Sequence, residues 1–73
     1  MQQTVLETIN EVRANKGLAA INALDPKTSL QTDLEMDSLD LAEFAARIEN
    51  KTGVDVFSEG IVTTVESVLS KLS

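Results

Sequence analysis

A serine hydroxyl becomes a nucleophile only when a base takes its proton, and Ser38 has no base beside it. The stretch from Asp33 to Glu43 holds five acids (Asp33, Glu35, Asp37, Asp40 and Glu43) and no Lys or Arg. The chain also has no histidine, which removes the commonest general base and the commonest metal ligand together. It has no cysteine, so neither a thiolate nor a disulfide is available. A hydroxyl placed this way is suited to modification by another protein that brings its own base. Carboxylate-only chemistry through Glu35 and Asp37 is the one catalytic alternative, and no metal site is expected.

Twelve acids against six bases leave a net charge of −6. Such a surface repels nucleic-acid phosphates and anionic lipid and attracts a partner carrying a Lys/Arg patch. No apolar run approaches the roughly 20 residues of a membrane span. Met1-Gln2-Gln3-Thr4 lacks the basic and apolar regions of a signal peptide. The expectation is a monomeric cytoplasmic protein with no nucleic-acid partner and no membrane span. With 73 residues, one domain covering 1–73 is expected. A domain of this size buries only about 60% of the surface its unfolded chain exposes, so its stability is modest.

The elements that must present Ser38 are readable from periodicity. A first helix is predicted from Thr4 to Lys16. Thr4 and Glu7 have capping-box spacing, Val5, Ile9 and Val12 share one face, and Gly17 is the stop. A long connection follows from Asn22 to Met36, with a turn at Asp25-Pro26. Leu24, Leu30 and Leu34 are expected to pin it to the core, because structureless connections of this length are uncommon. A second helix is predicted from Ser38 to Lys51, with Asp37 as N-cap and Gly53 as terminator. Leu41, Phe44, Ala45 and Ile48 fall at i, i+3, i+4, i+7 and define its core face. Leu39, Ala42 and Ala46 form a second apolar stripe on nearly the opposite side, which a helix with one buried face does not need. A last helix is predicted from Thr63, with Thr63 and Glu66 as a capping box and Val65, Val68, Leu69 and Leu72 inward. One short helical turn is expected near Phe57. The sum is an all-α bundle of three main helices plus a short fourth, with a long loop between the first two main helices.

Asp37-Ser38 can be plain helix capping, and the tripeptide Asp-Ser-Leu alone carries little. Three separated segments carry more. Asp25-Pro26-Lys27-Thr28-Ser29-Leu30 leads toward the serine, with its leucine eight residues ahead. The run from Thr32 to Asp40 surrounds the serine, and Ile61-Val62-Thr63-Thr64-Val65 opens the last helix. In order and spacing these segments resemble the acyl carrier protein family, which includes the peptidyl carrier domains.

The resemblance implies that a phosphopantetheinyl transferase moves 4′-phosphopantetheine from coenzyme A onto Ser38. The chain is then a phosphoprotein and a thioester carrier rather than an enzyme. It implies service in fatty acid, polyketide, nonribosomal peptide or related biosynthesis. The partners would be an acyl- or aminoacyl-loading enzyme, a ketosynthase or an acyltransferase with a basic patch. Asp37, Leu39, Asp40, Ala42, Glu43 and Ala46 would meet those partners, with Met36 and Ile61 at the edges. Leu30, Ala45, Ile48, Val56 and Val68 would line an acyl cavity, against a simpler reading as core. Three positions depart from the family pattern. Glu35 stands where Gly is frequent, and an altered approach to Ser38 is expected there. Thr52 replaces a bulky apolar residue, and the segment from Val56 to Thr63 is short. An adaptor of the same fold, acting by protein contact with no prosthetic group, is the alternative.

Overall fold

Three helices form where the periodicity places them. The computed structural model describes residues 1–73: α1 spans Gln2–Asn15, α2 Ser38–Thr52 and α3 Val65–Leu72. In α1 the inward face is Val5, Thr8, Ile9 and Val12, all buried. The expected cap at Thr4 does not form. The helix begins two residues earlier, Met1 precedes it without a side-chain cap, and the Thr4 carbonyl instead accepts from the Thr8 hydroxyl. Its end is as expected. Gly17 takes φ +76°, with Gly17 N–H donating to the Ala14 carbonyl and Leu18 N–H to the Arg13 carbonyl. That is the paired closure of a Schellman motif.

The connection to α2 is long but ordered by named contacts. Asn10 binds both backbone groups of Ile21, donating to its carbonyl at 3.0 Å and accepting from its N–H at 2.8 Å. Arg13 donates to the carbonyls of Ala19 and Leu34, so one side chain holds both ends of the loop against α1. Leu30 and Leu34 are buried and Leu24 packs against the core, as the sequence led us to expect. The Asp25-Pro26 turn closes through Thr28 N–H to the Asp25 carbonyl.

The same loop meets the approach to α3. Leu30 N–H donates to the Thr63 carbonyl and Val65 N–H to the Thr28 carbonyl, and Ser29 and Thr64 form an isolated antiparallel bridge. This pairing shifts the start of α3. Thr64, not Thr63, is the N-cap, and its hydroxyl accepts from Ser67 N–H. The fourth helix does not form. Val56 to Glu59 is a run of turns, closed by Ser58 N–H to the Asp55 carbonyl and Gly60 N–H to the Phe57 carbonyl. Three helices and two pinned connections therefore make the fold.

Phe44, Ile9, Leu30 and Ile48 are the largest side chains sealed from solvent, joined by Val5, Val12, Val56, Val65 and Val68. The residues read as cavity lining sit here. Leu30, Ile48, Val56 and Val68 are fully buried, Ala45 is half-buried at the edge, and no cavity opens between the helices. No helix is long and apolar enough to cross a membrane.

Candidate functional site around Ser38

Ser38 is the first residue of α2 and is exposed. Its placement follows from Asp37, whose extended backbone (φ −88°, ψ −174°) ends the loop. The Asp37 carboxylate accepts from Asp40 N–H at 2.9 Å, and Asp40 Oδ2 accepts from Asp37 N–H at 3.0 Å. This reciprocal capping box uses Asp at the position where Glu or Gln is usual. No protein acceptor takes the N–H groups of Ser38 and Leu39, so the positive end of α2 points outward beside the Ser38 hydroxyl.

The loop reaches this start through an unusual backbone. Glu35 has φ +60°, the only left-handed residue in the chain that is not glycine. Leu34 and Met36 on either side both turn into the core. Leu34 N–H donates to the Ser29 carbonyl and Met36 N–H to the Leu30 carbonyl, so the loop closes tightly through Glu35, and glycine would take its φ freely. A residue with a Cβ pays roughly 1–2 kcal/mol for this conformation. The departure at Glu35 therefore appears as strain in a tight turn, with its own side chain exposed.

Met36 belongs in the core: it is 3% exposed, and the reading that placed it on the partner edge is corrected by that burial. Asp40 is also turned inward against the protein. Its carboxylate lies 2.6 Å from Lys16 Nζ, so it is committed within the chain instead of projecting as a free surface acid. The Lys16 ammonium, then the Asp37 N–H, hold the Asp40 carboxyl below the usual carboxylate range, and the same pairing raises Lys16. Glu43 is half-buried and accepts from Arg47 Nε at 2.9 Å and from Asn15 Nδ2 at 2.8 Å. Arg47 also reaches Glu11 on α1, as does Lys51, which holds the Glu11 carboxyl low first through its hydrogen bond. These pairs line the α1–α2 seam.

An apolar stripe stays open along the first turns of α2. Leu39 is 79% exposed, Ala42 and Ala46 are exposed, and Ile61 on the approach to α3 is 61% exposed. The second stripe thus lies outside the core, with exposed Asp37 at its head. Thr52 ends the helix by donating its hydroxyl to the Ile48 carbonyl and accepting from Val54 N–H, which turns the chain at Gly53. Sequence reasoning took Lys16 only as the last residue of the first helix. Its partner is 24 positions away, and no local pattern signals the pairing.

The chain matches the family described as the phosphopantetheine attachment site over residues 4–70. It is 31% identical over 70 residues to an acyl carrier protein of Rubrobacter xylanophilus, covering 93% of this chain and 86% of that protein. No solved structure matches. The fold and these matches define a phosphopantetheine-bearing carrier, a class that is substrate and partner of enzymes and not itself a catalyst. The chain belongs to the acyl carrier protein family, whose prosthetic group is 4′-phosphopantetheine and whose enzyme partners include a phosphopantetheinyl transferase.

The residues at the head of α2 suit that group. A phosphodiester on the Ser38 oxygen would sit beside two unpaired N–H donors at a helix N-terminus, the backbone arrangement that favours anions.

Proposed function

We propose that Ser38 is the point at which 4′-phosphopantetheine is attached and that residues 1–73 act as one discrete carrier domain. The supporting observation is an exposed hydroxyl at the first position of α2, with two free N–H donors and no base bonded to it. When bound, the group supplies a thiol, which this cysteine-free chain lacks, to hold an acyl or aminoacyl cargo as a thioester. The chain's own contribution is to present the hydroxyl, to keep its backbone donors open, and to offer a docking face. The serine proton passes to a base on the transferase, since no imidazole exists here.

That face comprises Leu39, Ala42, Ala46 and Ile61 with Asp37 at its head. Met36 and Asp40 contribute from beneath it by fixing the loop and the cap. Glu43 offers a carboxylate already shared with Arg47, so its pull on a partner is weakened. Exposed ion pairs are worth about 0–1 kcal/mol each, which suits binding that must be brief. The net charge acts mainly on encounter with a basic partner. The pathway is fatty acid, polyketide, nonribosomal peptide or related biosynthesis, and the partners are a loading enzyme, a ketosynthase or an acyltransferase.

Incubating the chain with coenzyme A, Mg²⁺ and a broad-specificity transferase should add one phosphopantetheine mass, and Ser38→Ala should abolish the addition. Identical intact masses for the two proteins, with a control carrier labelled in parallel, would refute the assignment.

A further inference from the structure

The presentation of Ser38 depends on a residue from the far end of α1. Lys16 Nζ donates to Asp40 Oδ2 at 2.6 Å and also to the Glu35 carbonyl. One ammonium therefore joins the residue three positions before the serine to the residue two positions after it. The first is the left-handed turn residue, and the second is half of the capping box. Asp40 Oδ2 takes Asp37 N–H as well, so lysine, turn and cap share one acceptor.

We propose that Lys16 is a positioning residue for the modification of Ser38, holding the left-handed turn at Glu35 against the Asp40 cap so that the hydroxyl meets a transferase in one fixed geometry. The inference rests on Ser38 being the attachment point. A residue with a Cβ leaves φ +60° readily unless its surroundings hold it. The buried side chains of Leu34 and Met36 anchor the turn from below, and Met36 N–H donates to the Leu30 carbonyl. The Met36 N–H and the Glu35 carbonyl share one planar peptide, so the bond to Leu30 also aims that carbonyl. Lys16 is what ties this peptide to Asp40 and so to the cap. Without it, the bond from Asp40 N–H to Asp37 remains and α2 still starts at Ser38. The fold survives while the approach to the serine loosens.

The test compares rates of phosphopantetheine transfer to wild type, Lys16→Met, Lys16→Arg and the double variant Lys16→Met/Glu35→Gly. All are assayed at a temperature where circular dichroism shows each folded. Lys16→Met should lower kcat/KM about tenfold, the scale expected when a reacting group is misplaced by a fraction of an ångström. Lys16→Arg should stay near wild type. The double variant should recover most of the loss, because glycine takes φ > 0 without a clamp. Amide exchange at Met36 and Asp37 should quicken in Lys16→Met.

A wild-type rate for folded Lys16→Met overturns the clamp and leaves Ser38 as the attachment point. A slow Lys16→Met with no recovery in the double variant and unchanged exchange assigns Lys16 to direct contact with the transferase, which also overturns it. Wild type and Ser38→Ala both unlabelled would remove both readings. Should Lys16→Met not fold, Asp40→Asn releases the same ammonium while keeping an oxygen for the cap. Unchanged transfer and unchanged exchange in that variant overturn the proposal.

Discussion

Asp40 carries a pH dependence whose sign is set by its partner. Its folded value lies below the usual one, chiefly through the Lys16 hydrogen bond. The unfolded chain, at about 3.9, therefore takes up a proton first as pH falls. The stabilisation is complete above that value and is lost as pH drops through it toward the lower folded value. Glu11 and Glu59 are lowered as well, by Lys51 first and by Lys71 respectively, and add in the same direction. Lys16 is raised, so its share is complete below about 10.4 and is lost as pH rises through its higher folded value. Asp40→Asn should flatten the fall in the urea midpoint below pH about 4. An unchanged slope in that variant would show that the Lys16 pair does not govern acid stability. The exposure of Ser38 was legible in the sequence, because an Asp N-cap puts the next residue at the open end of a helix. The burial of Met36 and the engagement of Asp40 were not. Both depend on a left-handed residue and a distant lysine, which have no periodicity.

The cap of α3, which sequence reasoning placed at Thr63, is set at Thr64 by a distant pairing. Thr63 and Thr64 are both reasonable N-caps. The backbone pairing of Leu30 with Thr63 and of Val65 with Thr28 decides for Thr64. α3 has only eight residues, so one cap is a large share of its local stability. Thr64→Ala should destabilise the protein by ~0.5–2 kcal/mol. Thr63→Ala, whose side chain caps nothing, should cost clearly less in the same denaturant titration. Equal losses would return the cap to Thr63. At the other end of α2, Gly53 takes φ +80° with open space around its Cα, and its N–H donates to the Glu49 carbonyl at 2.7 Å. Gly53→Ala meets no clash but carries the left-handed penalty, about 1 kcal/mol, visible as a lower melting temperature. Helix α2 was readable almost to the residue because its cap, core stripe and terminator agree. The turn near Phe57 was not, because a short apolar segment with Asp55 and Gly60 supports a helix or turns equally well.

The whole molecule measures 28 × 22 × 20 Å and carries an uneven charge balance. Four acids are ion-paired, which leaves eight acids and two bases outside the pairs. The acidic run around Ser38 repels itself less than its composition suggests, because Asp40 and Glu43 are paired and Asp33 accepts from Ser29 N–H. Repulsion between more distant carboxylates remains. At about 0.15 M salt the Debye length is about 8 Å, shorter than the molecule but much longer than a hydrogen-bonded ion pair. Salt should therefore screen the repulsion more than the pairs and raise the melting temperature. A falling melting temperature would mean that the ion pairs dominate. The core leaves little margin. A domain of this length has about 4–11 kcal/mol of stability, and Phe44→Ala should remove ~3–5 kcal/mol of it. That variant should be partly unfolded by circular dichroism at 37 °C, or lose most of its urea midpoint. The way the cations are spent has a chemical corollary. A thioester is destroyed by any amine with a lone pair to offer, and Lys16 is the amine bonded to the residues flanking Ser38. Gripped by a carboxylate and kept protonated, it is disarmed as a nucleophile, so the arrangement that steadies the serine would also shield whatever cargo hangs from it from aminolysis by its own carrier.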